Sequence, residues 1–284
     1  MRESSFAGSF YEAAPKHLEA QIRECFLSKF GPGKLPGKQT GKEIKAVICP
    51  HAGYMYSGAC AAHAYKALAE AKIPDLYILI GPNHQSGQSS VSSETIQTPL
   101  GIIRADQNFA RDLAAKKNLK LDDGVHAREH SVEVQLPFLQ FVLKEKMDKV
   151  KIVPIIISHD ADLHQVAIDI KETLLDQDKK AVFIVSSDFT HYGYGYGYVP
   201  FSENIKENLE KLDMGAVELI KKQDYNGFLN YVEETKATIC GALPIALLLR
   251  TIKAKNVTLL KYYTSGEVVG DTKNSVSYVS MLFE

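Results

Sequence analysis

The sequence predicts an α/β fold, a three-layer α/β/α sandwich around a mostly parallel central sheet. Short apolar, β-branched runs alternate with amphipathic helical stretches, the pattern of right-handed βαβ crossovers. Two of the runs, VPIIIS and VFIVSS, are apolar at every position except their ends, as strands covered on both faces must be. No fixed-period repeat and no linker divides the 284 residues, so a single domain over 1–284 is expected.

Pro15 and residues 16–30 read as a helix with proline in its first turn and Leu18, Ile22, Phe26 and Leu27 on one side. Residues 31–41, GPGKLPGKQTG, are then a turn-rich loop. Strands are predicted over 46–49, 76–80, 151–157 and 181–186, each too short and too β-branched for a helix. Helices are predicted over 57–71, 107–117, 131–144, 163–175, 203–221, 225–233 and 241–253. Residues 94–105 read as a hairpin around Pro99-Leu100-Gly101, and 257–264 and 275–283 as late strands that add antiparallel edges.

Composition narrows the function classes. With 45% hydrophobic residues, 24% charged residues and a net charge of -1, the chain is an ordinary globule without the basic surface that phosphate backbones require, so nucleic acid is not expected as a partner. No run approaches the length of a membrane span, and residues 1–10 lack the apolar core of a signal peptide, which places the expectation in the cytoplasm. Cys25, Cys49, Cys60 and Cys240 show no C-x-x-C spacing and read as free thiols of a reducing compartment.

In parallel sheets ligands gather beyond the carboxyl ends of the strands. The first predicted strand runs into Pro50-His51, the second into Gly81-Pro82-Asn83-His84, and the fourth into Asp188-Phe189-Thr190-His191. Alone, each histidine reads as a hydrogen-bonded structural residue. The repeated order of strand, proline and histidine makes His51 and His84 a pair of metal-ligand candidates, on strands one βαβ step apart that can be neighbours. Asp188, His191, His130 and Cys240 are candidates to complete the set. Cys240 precedes Gly241 where a helix begins, a position that favours the thiolate. Asp188 and His191 have the spacing of an acid/base pair, the carboxylate orienting the imidazole. Residues 128–133 open the helix with Ser131 as its cap, which can turn His130 toward the same pocket. The run GYGYGY at 193–198 lacks the Walker ending and the dinucleotide order, and reads as an aromatic lid or rim.

Six ordered motifs then carry a resemblance: AGSFY (7–11), PHAGYMYSG (50–58), GPNH (81–84), EHSVEVQLPF (129–138), SSDFTHYG (186–193) and TICG (238–241). With them the chain resembles the Memo family (mediator of receptor-driven cell motility), whose microbial members are called AmmeMemoRadiSam system protein B. That family is similar in fold to the class III, LigB-type extradiol dioxygenases, which are non-haem iron enzymes. The resemblance implies a metal triad of His51, His84 and Cys240, with His191 and Asp188 as the catalytic pair lining the same pocket. His130, Tyr54 and Asn83, from the same motifs, are the candidate substrate contacts.

The triad departs from the dioxygenases in ending on a thiolate instead of a carboxylate. Two imidazoles and a carboxylate leave open positions on Fe(II). A softer sulfur keeps iron and makes copper, Cu(I) above all, a competitor. It also sets an oxidisable ligand beside any oxygen site, so dioxygenase activity does not transfer with the fold. The expected function is a metal-binding redox protein, an oxidoreductase or dioxygenase-like enzyme with a mononuclear iron or copper centre. The alternative is a scaffold that recognises a peptide or partner protein through the same pocket, with AMMECR-type and radical-SAM proteins as the partners the family context implies. Animal members are described as binding phosphotyrosine peptides, but no arginine cluster lies near these motifs. A third reading makes Cys240 a nucleophile, with His191 as base and Asp188 as orienter.

Overall fold

Twelve strands join in one sheet in the computed structural model, which describes residues 1–284. The first half of the chain forms β1 (Arg2–Glu3), α1 (Pro15–Leu27), β2 (Ala46–Cys49), α2 (Tyr54–Glu70), β3 (Leu76–Pro82), β4 (Ser90–Val91), β5 (Ile96–Thr98), β6 (Gly101–Ala105), α3 (Gln107–Ala115) and β7 (Lys120–Leu121). The middle adds α4 (Asp123–His126), α5 (His130–Glu133), α6 (Gln135–Val142), β8 (Lys151–Ile157), α7 (Leu163–Asp176), β9 (Ala181–Ser186) and β10 (His191–Gly193). The last third is α8 (Ile205–Lys221), α9 (Tyr225–Thr235), α10 (Ala242–Thr251), β11 (Val257–Thr264), α11 (Ser265–Val269) and β12 (Asn274–Phe283).

The centre of the sheet runs β6-β8-β3-β9-β2, with every neighbouring pair parallel. Beyond β2, strand β12 is antiparallel and carries β11 and β10 as antiparallel partners. At the other edge β5 and β6 form the expected hairpin, and β1 adds in parallel to β5. The predicted three-layer α/β arrangement with antiparallel edges is therefore what forms.

The two-residue repeat of the strands divides their side chains between two helical layers. Val47, Cys49, Leu79, Ile152 and Ile184 pack with Leu18 and Phe26 of α1, Leu68 of α2 and Phe138 of α6. Ile48, Ile80, Val153, Phe183 and Val185 pack with Phe109 of α3, Val166 of α7, Val217 of α8 and Leu248 of α10. Each fully buried aliphatic side chain contributes about 1.5–3 kcal/mol, so strands buried on both faces anchor the frame on which the site stands.

Three local differences from the sequence reading have physical causes. The stretch 131–144 divides at Val134 into α5 and α6, because Pro137 has no N–H for the Glu133 carbonyl and its ring crowds that oxygen. Helix α2 starts at Tyr54, directly after Gly53, instead of at Ser57. Strands β2 and β3 are not neighbours: β9 is inserted between them and pairs with both. No helix is long and apolar enough to cross a membrane.

Candidate metal centre

The insertion of β9 decides the chemistry of the sheet edge. The carboxyl ends of β3, β9 and β2 lie side by side, so His84, then Ser186, Asp188 and His191, then His51 emerge along one rim. Two glycines let the remaining residues approach. A Cβ at Gly81 would lie 2.4 Å from Ser131 Oγ, so glycine there admits α5, which begins with His130. A Cβ at Gly241 would lie 2.3 Å from the Cβ of Ser187, so glycine also admits the TICG turn that carries Cys240.

His51 is buried, and its ring is oriented from below. Ser186 Oγ donates to the Ser131 carbonyl at 2.6 Å, which commits its only proton. It therefore accepts from Gln135 Nε2 at 3.0 Å and from His51 Nδ1 at 2.7 Å. His51 Nδ1 carries the hydrogen and Nε2 keeps a free lone pair. Burial, reinforced by the neighbouring His130, His84 and His191, pushes the His51 pKa well below its usual value, so the ring is a neutral donor near neutral pH.

Glu129 orients His84 and borders His130. Its Oε1 accepts from His84 Nδ1 at 3.0 Å and lies 3.3 Å from His130 Nδ1, while Oε2 accepts the His84 backbone N–H at 2.6 Å. Burial opposes ionisation of this carboxyl, yet the His84 side chain and the N–H groups of Ser131 and His84 hold its pKa at about 2. His84 thus directs Nε2 away from Glu129. Burial lowers His130 to about 4, leaving it neutral as well. The ring centroids of His51, His84 and His130 are 5.2, 5.2 and 4.6 Å apart, and one nitrogen from each falls within 4.8 Å of the others.

On the other side of His51, Cys240 Sγ lies 3.2 Å from Nε2. Asp188 accepts the backbone N–H groups of His51 at 2.8 Å and Ala52 at 3.3 Å through Oδ1, and its Oδ2 is 4.0 Å from His51 Nε2. His51, Asp188 and Cys240 offer a second set of ligand atoms within 4.8 Å of one another. The expected triad of His51, His84 and Cys240 takes one member from each set, with His51 common to both. Burial raises the Cys240 thiol well above its usual pKa and Asp188 adds to this, which reverses the thiolate preference expected from the helix start. The Asp188 N–H donates to the sulfur at 3.3 Å, an arrangement that supports a thiolate once a cation is present. Burial likewise raises Asp188, against the lowering effect of His191 and the two backbone donors.

The other named residues fall at the rim or behind it. His191 Nδ1 donates to the Thr238 carbonyl at 3.0 Å, which leaves Nε2 as the basic nitrogen, and the Tyr196 ring stands edge-on at 5.3 Å. GYGYGY is a short 3-10 turn closed by the Gly193–Tyr198 bridge, with Tyr194 and Tyr196 exposed. Tyr54 is buried and donates to the Val134 carbonyl at 2.6 Å, in the layer beneath the imidazoles. Asn83 braces its own loop, accepting from the N–H groups of Gln85 and Ser86 and donating to the Gln88 carbonyl.

Three residues that orient the ligands were missed as site residues by sequence reading: Glu129, Ser186 and Gln135. Gln135 sits under the floor, donating to the Pro50 carbonyl at 3.0 Å and accepting from Tyr65 at 2.9 Å. A carboxylate beside a helix-opening histidine was the available signal for Glu129. Ser186 and Gln135 act through pairings no spacing rule reveals.

The donor set fits a soft or borderline transition metal: three imidazoles, two of them with Nδ1 held by hydrogen bonds, a sulfur and a buried carboxylate. A family described as Memo-like protein matches residues 2–282. The chain belongs to the Memo family. It is 37% identical over 295 residues to a MEMO1 family protein of Methanopyrus kandleri, covering 99% of this chain and 98% of that one. A MEMO1 family protein of Sulfurisphaera tokodaii is 39% identical over 301 residues, covering 100% and 99%. Another, from Nitrosopumilus maritimus, is 35% identical over 292 residues, covering 100% and 99%. Among solved structures, an uncharacterized protein from Escherichia coli K12 superposes with a TM-score of 0.53 at 11% identity, over 85% of this Memo chain and all of that one (100%), a likeness of fold.

Proposed function

We propose that this Memo protein is a metal-binding redox protein with one iron or copper ion held by His51, His84 and Cys240. The observation that carries the reading is the approach of Cys240 Sγ to 3.2 Å from His51 Nε2, between residues from opposite ends of the chain. The thiol can donate to the free Nε2 lone pair, and that sulfur and that nitrogen are the two atoms a shared ion would join. Bound there, such an ion would supply one-electron chemistry or polarise a ligand at an open position.

The chain's own residues do the rest. Ser186 and Glu129 hold the ring hydrogens of His51 and His84 on Nδ1, keeping Nε2 available. His191, fixed by Thr238, presents a basic Nε2 able to take a proton from a ligand, and Asp188 can relay or hold one at Oδ2. Phe6 and Phe10 pack against His130 at 5.6 and 4.6 Å and exclude water from that wall.

Protein purified without an affinity tag under anaerobic conditions tests this by elemental analysis. About one equivalent of iron or copper, lost in His51→Ala, supports it, whereas no metal above background after reconstitution refutes it. A binding role through the same pocket is favoured by one further observation, the exposed apolar rim of Met55, Tyr56, Tyr194 and Tyr196. A peptide or a partner such as an AMMECR-type or radical-SAM protein would meet that rim, and an unchanged partner affinity in His51→Ala would separate recognition from the metal.

A further inference from the structure

Glu133 closes helix α5 one turn after His130, and its side chain is completely buried. It belongs to neither ligand set. Its partners come from the start of the chain. Oε1 accepts the Phe6 N–H at 2.8 Å and the Tyr11 hydroxyl at 2.9 Å, while Oε2 accepts the Ser5 N–H at 3.0 Å and lies 3.5 Å from the Arg2 guanidinium. Between Phe6 and Tyr11 the AGSFY segment folds into a turn, with the Phe10 N–H on the Phe6 carbonyl at 3.0 Å and the Gly8 N–H on the Tyr11 carbonyl at 2.7 Å. The Phe10 carbonyl in turn accepts the N–H of Tyr54, the first residue of α2, at 2.8 Å. So placed, the Phe10 ring packs on His130 at 4.6 Å and the Phe6 ring meets it edge-on at 5.6 Å.

We propose that Glu133 is a positioning residue of the metal pocket: by gripping residues 2–11 it sets Phe6 and Phe10 as the wall over His130 and leaves the His84 side as the entrance for ligands. The proposal rests on the metal-binding reading above for what the pocket holds, and adds which of its sides is shut. The side chains agree with it, 30% exposed at His84 and 15% at His130. The grip also needs a carboxylate in particular. Four donors converge on two buried oxygens, and both oxygens have to accept. A glutamine has one accepting oxygen, so its NH2 group would face the Phe6 or the Ser5 N–H and leave that backbone donor without a partner.

Diethyl pyrocarbonate acylates accessible neutral imidazoles, and peptide mapping of the treated, metal-free full chain reads the rate at His130 against that at His84. In the wild type His130 should react more slowly than His84. Glu133→Gln should raise the His130 rate about tenfold with His84 unchanged, on the order of the equilibrium factor for one lost buried hydrogen bond. Tyr11→Phe, a milder cut in the same grip, should move the rate in the same direction, and so should Phe10→Ala, which removes the wall and leaves the grip intact. Phe10→Tyr keeps the ring and should behave as the wild type. Circular dichroism checks each fold, and Tyr11→Phe decides the role of the grip where Glu133→Gln does not fold. A wild-type His130 rate in the folded grip variants, or in Phe10→Ala, would overturn the positioning role. Acceleration of His84 and His130 together would overturn it as well, because the whole pocket would then have loosened. The labelling needs no metal, so its failure leaves the iron or copper reading standing, and an absence of metal on elemental analysis leaves the wall standing.

Discussion

Glu129 holds His84 at two points, its Oε1 at 3.0 Å from the ring Nδ1 and its Oε2 at 2.6 Å from the backbone nitrogen. One buried carboxylate thus fixes both the loop and the tautomer of a residue on the solvent side of the site. Glu129→Gln keeps the shape and removes the charge that makes His84 a reliable Nδ1 donor. Competitive titration against a chromophoric chelator should show metal affinity reduced about 10- to 100-fold. Unchanged affinity would mean that His84 needs no orientation.

Ser186 is the corresponding residue for His51. Ser186→Ala removes the acceptor for both His51 Nδ1 and Gln135 Nε2 inside a dry layer. Each buried donor left unpaired costs about 1–3 kcal/mol. Urea unfolding should show a loss in that range or somewhat above it, and nitrogen-15 chemical shifts should show His51 leaving the Nδ1–H tautomer. An unaltered tautomer would remove Ser186 from the account.

Gly241→Ala tests how closely the TICG turn must approach β9. The new Cβ would meet the Ser187 side chain at 2.3 Å and the Ser186 carbonyl at 2.7 Å, so the turn has to move outward. Overpacking of this kind costs about 1–3 kcal/mol. The same shift should draw Cys240 off the imidazole and abolish sulfur-to-metal charge transfer while the chain remains folded. A folded variant with full charge transfer would contradict the close-approach role.

A pH dependence follows from His126, away from the ligands. It is buried, its Nε2 is 3.3 Å from the Ser90 carbonyl, and burial with the Arg2 charge lowers its pKa from 6.5 to about 4. The unfolded chain therefore binds a proton at this residue between those values and the folded chain does not, so the contribution is complete above 6.5 and is lost as pH falls toward 4. Unfolding free energy measured against pH should drop across that window. His126→Gln, which can still donate to Ser90, should make the slope shallower by up to one proton. An identical slope would show that His126 is protonated in the folded state.

The frame of the fold was legible because it rests on local signals. Strands β8 and β9 announce themselves as uninterrupted apolar runs, and α1 by Pro15 and the spacing of Leu18, Ile22 and Phe26. Strand order was not: nothing in the sequence of β2 or β3 says that β9 inserts between them, since strand order is a matter of tertiary pairing, in which β9 hydrogen-bonds to both and α10 lies across β3 and β9. The same limit applied to the site. His51, His84 and Asp188 could be found because they stand at strand ends. Cys240 gained weight only through its motif, and its raised thiol pKa is a consequence of burial that helix position alone misjudges. Ser186 and Glu129 stayed hidden because their roles depend on which neighbour takes their hydrogen bonds.

The central claim is that one ion joins histidine and cysteine in this pocket, and X-ray absorption at the metal edge of anaerobically isolated, untagged protein tests it most directly. The account predicts iron or copper with imidazole nitrogens and a single sulfur in its coordination shell, the sulfur disappearing in Cys240→Ser. A metal surrounded by nitrogen and oxygen alone, in protein whose Cys240 is intact, would contradict it.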